Sequence, residues 1–286
     1  MSQEFAQRQV QCITPSGLHQ LAYTEWGDSS NRKVLLCVHG LTRCARDFDS
    51  LARALCADYR VVCPDVPGRG LSSWLKNPME YQAQTYVADM VTLLARVDAD
   101  HVHWVGTSMG GLIGMTLASL PETPVKKLVL NDVGPVLAAA SLARIGEYLG
   151  KAPIFPDFAA VTQYIRAIAA TFGEHSDDEW ALLTEHVTRR QPDGSYRMHY
   201  DPAIAVPFMA AKSDKDIELW NCYDAIKCPT LVIRGAQSDL LRRETAQEMA
   251  RRGPCAQTVE IPDVGHAPTL MHADQIAIVR DFLLAH

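Results

Sequence analysis

The sequence lacks several features that would mark particular classes of protein. It has no apolar run of about 18 residues, the length that a helix needs to cross a bilayer. It has no block of like charges that would form an interaction tail, and its formal net charge of -6 gives no basic footprint for nucleic acid. The polar start "MSQEFAQRQVQC" does not match a signal peptide. We therefore expect a cytoplasmic protein that binds neither membranes nor nucleic acid.

The cysteines also lack the spacing of a metal site or a disulfide framework. There are eight of them, and none forms a C-x-x-C pair. Several lie inside apolar runs such as "VLLCVHG" and "RVVCPDV". This pattern predicts buried free thiols in a reducing compartment, with no bound metal.

Short apolar segments alternate with helical patterns along most of the chain. The stretch "VQCITPSGLHQLAYTEWG" predicts a hairpin that turns at "PSG". The later apolar segments are nearly continuous, as expected where helices cover both faces of a parallel sheet. They are "KVLLCVHG", "YRVVCPDV", "HVHWVG", "KKLVLNDVG", "PTLVIRG" and "QTVEIPDVG". The sequence therefore predicts an α/β fold with a doubly wound, mostly parallel sheet.

The alternation stops between residues 135 and 224. Helical patterns such as "FAAVTQYIRAIAATFG" and "DDEWALLTEHVTRR" follow one another there, with no strand expected between them. We predict a mostly helical cap over residues 135–224, inserted into a core formed by residues 1–134 and 225–286. No internal repeat is present.

The segment "GTSMG" matches the nucleophile elbow G-x-S-x-G, in which a serine occupies a tight turn between a strand and a helix. Side chains two residues before and after Ser108 would collide across such a turn, which accounts for Gly106 and Gly110. The turn would expose the Ser108 hydroxyl at the N-terminus of a helix, where backbone N–H groups can stabilise an oxyanion.

A serine hydroxyl needs a base, and the base needs an acid that orients it. His266 follows a predicted strand into a glycine-containing loop, "VEIPDVGHAPTL", so it is the candidate base. Two acids follow strands that end at the same edge: Asp239 in "AQSDLL" and Asp132 in "NDVGP". The order serine, aspartate, histidine holds with either acid.

Two backbone N–H groups are candidates for the oxyanion hole. One belongs to Met109, directly after the serine, and the other to Leu41 in "HGLTR", which follows the strand "VLLCV". We interpret His39 as structural packing beside that loop. The segment "PDVPGRGLS", which includes Asp65 and Arg69, is expected to shape the rim of the site without a chemical role.

Together these motifs resemble the α/β-hydrolase fold family from one end of the chain to the other. "HGL", "PDVPGRGLS", "GTSMGG", an acid after the penultimate core strand, and "VGHAP" follow one another in the order that this family uses. The resemblance implies that Ser108 is the nucleophile, His266 the base and Asp239 the acid, with Asp132 as the alternative acid. It also implies that Leu41 and Met109 form the oxyanion hole and that no cofactor is required.

Departures from particular branches of the family narrow the expected reaction. Ser108 replaces the aspartate of haloalkane dehalogenases and epoxide hydrolases. Ala267 stands where C–C hydrolases of meta-cleavage products usually carry tryptophan, and Leu41 where perhydrolases often carry an aromatic residue. The sequence is similar to bacterial esterases and enol-lactone hydrolases, which implies hydrolysis of a small ester, thioester or lactone. C–C bond hydrolysis or acyl transfer by the same triad is the alternative, followed by a ligand receptor on this fold.

Overall fold

A computed structural model describes residues 5–211 and 214–285 of the chain. Its strands are β1 (Phe5–Thr14), β2 (Gly17–Trp26), β3 (Val34–Val38), β4 (Arg60–Pro64), β5 (Val102–Thr107), β6 (Val125–Asn131), β7 (Val136–Leu137), β8 (Ile154–Phe155), β9 (Thr188–Arg190), β10 (Tyr196–Met198), β11 (Ile217–Glu218), β12 (Thr230–Gly235) and β13 (Gln257–Ile261). Its α-helices are α1 (Asp49–Leu55), α2 (Ala83–Arg96), α3 (Met109–Ala118), α4 (Ala139–Tyr148), α5 (Phe158–Ile168), α6 (Asp177–Val187), α7 (Ala205–Ala210), α8 (Trp220–Ala225), α9 (Arg243–Met249) and α10 (Ala273–Leu284).

Eight of these strands form the main sheet, in the order β1-β2-β4-β3-β5-β6-β12-β13. β1 and β2 form the expected antiparallel hairpin, and β2 pairs antiparallel with β4. All the other neighbours are parallel. The predicted fold class, a mostly parallel doubly wound sheet, is confirmed.

Side chains of the central strands alternate between two apolar layers. In β3, Val34, Leu36 and Val38 pack into one cluster, whereas Leu35 and Cys37 pack into the other. Because successive side chains of a strand point to opposite faces, both faces must be apolar when both are covered. This explains why the strand sequences are continuous apolar runs.

Helices cover the two faces of the sheet. Residues of α2, α3 and α8 contribute to the first cluster, and residues of α1 and α10 contribute to the second. None of the helices in the described ranges is long and apolar enough to cross a membrane.

The segment between β6 and β12, called the inserted segment below, contains α4 to α8 and the short strands β7 to β11. Its own core joins α5 and α6 through Val161, Ile165, Trp180 and Leu183. The start of α6 is fixed by a capping box in which Ser176 and Glu179 bond reciprocally. The prediction that this segment has no strand was wrong, because strands of two or three residues carry no readable alternation.

The eight cysteines are all free thiols. Cys12, Cys37, Cys44, Cys63 and Cys228 are buried, as expected, and Cys56 and Cys222 are half-buried. The expectation of burial was wrong for Cys255, which is exposed in the loop before β13.

Candidate functional site

Ser108 lies in a strained turn between β5 and α3. Its φ of 52° and ψ of -115° are unusual for a residue with a side chain. A Cβ atom on Gly106 would lie 2.3 Å from the carbonyl carbon of Gly110, and one on Gly110 would lie 1.9 Å from the Val38 oxygen. Only glycine fits at both positions. The predicted collision across the turn accounts for Gly106, whereas Gly110 is required by the Val38 carbonyl at the end of β3.

The Ser108 hydroxyl begins a chain of two hydrogen bonds. Its Oγ lies 3.0 Å from Nε2 of His266, and Nδ1 of His266 lies 2.7 Å from Oδ2 of Asp132. The Asp132 side chain is fully buried, whereas His266 keeps a small exposed surface. The three side chains are thus connected in the order that general-base catalysis by a serine requires of nucleophile, base and acid.

Asp132 is held by several donors at the ends of two neighbouring strands. Its Oδ1 accepts from the Gly235 backbone N–H at 2.8 Å, and its Oδ2 accepts from the Ser238 hydroxyl at 2.6 Å. Its own backbone N–H donates to the Ile233 carbonyl at 2.8 Å. These bonds satisfy a buried carboxylate and aim one oxygen at His266.

The expectation that Asp239 contacts His266 is wrong. In the loop after β12 the Ser238 side chain points inward to Asp132, whereas the next side chain, Asp239, points outward. Asp239 accepts from Nε and Nη2 of Arg144 on α4, at 2.9 and 3.0 Å, and both side chains are about half exposed. Asp239 therefore joins the core to the inserted segment, and the alternative acid, Asp132, occupies the position beside His266.

The two predicted oxyanion-hole residues both lie close to Ser108. Met109 is the first residue of α3, where backbone N–H groups have no partner within the helix. Leu41 follows Gly40, and a Cβ atom built on Gly40 would lie 3.7 Å from Cβ of Ser108. Both Leu41 and Met109 line the same cavity as Ser108. The arrangement can present two N–H groups to an oxyanion formed on a carbonyl bound at Ser108.

His39 fixes the peptide that carries the Leu41 N–H. It is fully buried, and burial lowers its pKa to about 4, so the ring is neutral near pH 7. Nδ1 donates to the Gly40 carbonyl at 2.7 Å, and Nε2 accepts from the Val66 N–H at 2.9 Å. Because a peptide is planar, holding the Gly40 carbonyl also sets the direction of the Leu41 N–H. His39 is buried beside the loop, as predicted, but it contributes hydrogen bonds that hold the loop and not packing alone.

His39→Ala is therefore expected to lower both kcat and stability. Outright loss of an oxyanion-hole donor costs about 10²–10³ in kcat, and a misdirected donor should cost roughly 10- to 100-fold. His39→Asn, which restores one N–H donor, should recover part of the loss. Steady-state kinetics and urea unfolding at pH 7 test this. A wild-type kcat in a destabilised Ala variant would show that His39 serves packing alone.

Arg69 connects the segment "PDVPGRGLS", which is called the rim segment here, to the loop that contains Leu41. Its side chain is fully buried, and Nε donates to the Leu41 carbonyl at 2.8 Å. Nη1 donates to the carbonyl of Pro67 and to the hydroxyl of Tyr86. The sequence pattern singled out Arg69 in "PDVPGRGLS" but did not indicate this contact, because the side chain reaches a loop distant in sequence. The rim segment thus supports Leu41, which agrees with its expected shaping role.

Two cavities meet at Ser108. The larger, of about 720 Å³, is mostly apolar and extends from Ser108 between α4 and α7. The smaller, of about 90 Å³, includes His266 in its wall. Among the aromatic and apolar residues of the inserted segment, Ile145 borders both cavities, and Tyr148, Ile168 and Phe172 border the smaller one. Phe155, Phe158 and Tyr164 pack within the inserted segment instead.

Among the described residues, one buried group could supply three ligands to a metal: Cys12, His19 and Asp89. Nε2 of His19 lies 2.9 Å from Oδ2 of Asp89, and burial raises the pKa of Cys12 to about 12. These residues lie on β1, β2 and α2, and none of those elements carries a residue of the Ser108 relay.

Comparisons with known proteins agree with this geometry. Residues 33–273 match the family model described as alpha/beta hydrolase fold. The chain is 52% identical to a 3-hydroxybutyrate-oligomer hydrolase from Cupriavidus necator, with 96% of each chain covered. It is 27% identical to an esterase from Mycobacterium tuberculosis, covering 90% of this chain and 84% of that protein. A solved alpha/beta hydrolase from Novosphingobium aromaticivorans superimposes with a TM-score of 0.88, at 35% identity and 98% coverage of both chains. The chain therefore belongs to the alpha/beta hydrolase fold family and is an ester-bond hydrolase within it.

Proposed function

We propose that the chain hydrolyses short oligomeric esters of 3-hydroxybutyrate through an acyl-enzyme on Ser108. The observation that carries the mechanism is the hydrogen-bonded relay Ser108–His266–Asp132 at the junction of the two cavities. The substrate class is supported by the 52% identity to a 3-hydroxybutyrate-oligomer hydrolase along nearly the whole chain.

In the first half of the reaction, Nε2 of His266 accepts the proton of Ser108 as Oγ attacks the ester carbonyl. Asp132 holds Nδ1–H and stabilises the imidazolium that forms. The carbonyl oxygen becomes an oxyanion between the N–H groups of Leu41 and Met109. As the tetrahedral intermediate collapses, the alcohol oxygen takes the proton from Nε2 and leaves.

In the second half, water repeats the cycle on the acyl-enzyme. His266 accepts a proton from the water, which attacks the acyl carbonyl, and then returns it to Oγ of Ser108. The products are a carboxylic acid and an alcohol, and every proton transfer in the cycle uses residues of this chain.

We assign residues 135–224 to a cap that selects the substrate. In support, Leu142 and Ile145 of α4 and Phe208 of α7 face the cavity that begins at Ser108. A mostly apolar pocket with few polar groups suits a small organic ester. The same geometry argues for short to medium acyl chains rather than emulsified long-chain triglycerides.

The proposed partner is a small ester, and the proposed location is the cytoplasm. Eight free thiols suit a reducing compartment, which supports that location.

The test is a substrate panel with Ser108→Ala as the inactive control. We expect hydrolysis of the dimer, trimer and tetramer of 3-hydroxybutyrate and of p-nitrophenyl butyrate, followed by titration and by chromatography of the products. A vinylogous diketone and an added acceptor alcohol probe the alternatives, C–C hydrolysis and acyl transfer. Rapid cleavage of the diketone, together with no cleavage of the oligomers, would contradict the proposal.

A further inference from the structure

The two cavities at Ser108 differ in their relation to the base. Both are bordered by Ser108 and Leu41, but His266 borders only the smaller one. The alcohol half of an ester must lie within reach of His266, since Nε2 protonates the leaving oxygen. The alcohol half therefore belongs in the smaller cavity, and the acyl half extends into the larger one.

The sizes of the cavities set how much of an oligomer each can hold. A cavity needs about 10–15 Å³ to hold one water, so the smaller cavity, of about 90 Å³, has room for a group several times the size of water. One 3-hydroxybutyrate unit is a hydroxy acid of about that size. The larger cavity, of about 720 Å³, has room for several such units.

The smaller cavity is also bordered by two cationic side chains. Among the described residues of its wall there are two arginines, Arg43 and Arg144, and no aspartate or glutamate. Arg43 is occupied by Asp47, which accepts from its Nε and Nη2 at 2.7 and 2.6 Å, and both side chains are largely buried. Of the two arginines, Arg144 is therefore the more available to bind a carboxylate that enters this cavity.

Arg144 is available because its existing ion pair is exposed. It binds Asp239 through Nε and Nη2, with 43% of the arginine side chain and 47% of the aspartate side chain exposed. Exposed pairs of this kind contribute little to stability, because solvent screens them and holding two long side chains costs entropy. Its third nitrogen, Nη1, donates to no residue in the described part of the chain and can bind a second carboxylate.

We propose that the smaller cavity is a subsite for one hydroxycarboxylate unit, with Arg144 binding its carboxylate, so that oligomers are shortened from the carboxyl end. This inference rests on the proposed function. Oγ of Ser108 first bonds to the acyl carbon, and the bond between that carbon and the oxygen of the last unit breaks when the tetrahedral intermediate collapses. That oxygen takes the proton of His266 and leaves as the free hydroxy acid, and water then releases an oligomer shorter by one unit.

The test uses a tetramer of 3-hydroxybutyrate with ¹³C in the carboxyl-terminal unit only. The first products, separated by mass, are expected to be a labelled monomer and an unlabelled trimer. An unlabelled monomer with a labelled trimer, or two dimers, would overturn the inference while leaving the proposed function intact.

Arg144→Gln tests the carboxylate contact. The wild-type enzyme is expected to favour the free-acid dimer over its methyl ester by about tenfold in kcat/KM, the effect of one charge-assisted hydrogen bond. Arg144→Gln should remove this preference. Arg166→Gln is the matched control, since Arg166 is another half-exposed arginine of the inserted segment and is paired with Asp177. This variant should keep the preference for the free acid. Retained preference in Arg144→Gln would contradict the assignment.

A simpler ester separates failure of the subsite from failure of the proposed function. If no oligomer is cleaved, the proposed substrate class is wrong, and 3-(butyryloxy)butyrate and its methyl ester are then compared. Preference for the free acid that depends on Arg144 would support the subsite on its own. Equal rates, or cleavage of neither compound, would overturn it.

Discussion

Ser108→Ala is expected to reduce kcat by about 10⁴- to 10⁶-fold, because the nucleophile is lost and only background catalysis by the rest of the site remains. The fold should survive, since in the structure the Oγ atom bonds only to His266 among the contacts described for it. Ester hydrolysis under saturating substrate measures the loss, and circular dichroism checks the fold.

An organophosphonate provides an independent check on the same residue. It should label Ser108 stoichiometrically and block activity, and the Ala variant should take up no label. Labelling of another serine in the wild-type protein would refute the nucleophile assignment.

Asp132→Asn should be the next most damaging change, with a loss of about 10⁴-fold in kcat. An asparagine keeps the shape of the side chain but favours the wrong tautomer of His266, as in the serine proteases from which this magnitude comes. Some stability should also be lost, because the carboxylate accepts from Gly235 and Ser238 as well.

Asp239→Asn is the matched control, since it makes the same chemical change in the neighbouring loop. Asp239 is half exposed and bonds to Arg144 rather than to His266, so this variant should keep most of the wild-type kcat on p-nitrophenyl butyrate. Steady-state kinetics and thermal unfolding of both variants show which of the two aspartates acts with His266. An inactive Asp239→Asn beside an active Asp132→Asn would reverse the assignment.

The sheet could be predicted because its sequence signal is strong. The parallel strands are apolar on both faces, and the layers around β3 show why. The turn at Ser108 could be predicted for a related reason, since only glycine fits at Gly106 and Gly110. A position at which only glycine fits sterically can be recognised from the sequence.

The choice between the two acids could not be made from residue order. Asp132 and Asp239 follow neighbouring strands, β6 and β12, that end at the same edge of the sheet. What separates them is the direction of successive side chains in the loop after β12, where Ser238 points inward and Asp239 outward. The resemblance to the family favoured Asp239, and no sequence pattern indicated that Asp239 forms an ion pair with Arg144.

The position of Asp132 before the inserted segment has a consequence for the newly synthesised chain. Ser108, the candidate nucleophile, and Asp132 both precede the inserted segment, whereas the candidate base, His266, is synthesised more than a hundred residues after Asp132. Until then Asp132 lacks its donors from β12 and its imidazole partner. A partly synthesised chain therefore carries Ser108 without its proposed base. The same holds for a chain that is cut within the inserted segment and separated from its C-terminal piece. Under the proposed mechanism, esterase activity should therefore appear only once β12 and the loop that carries His266 have joined the sheet.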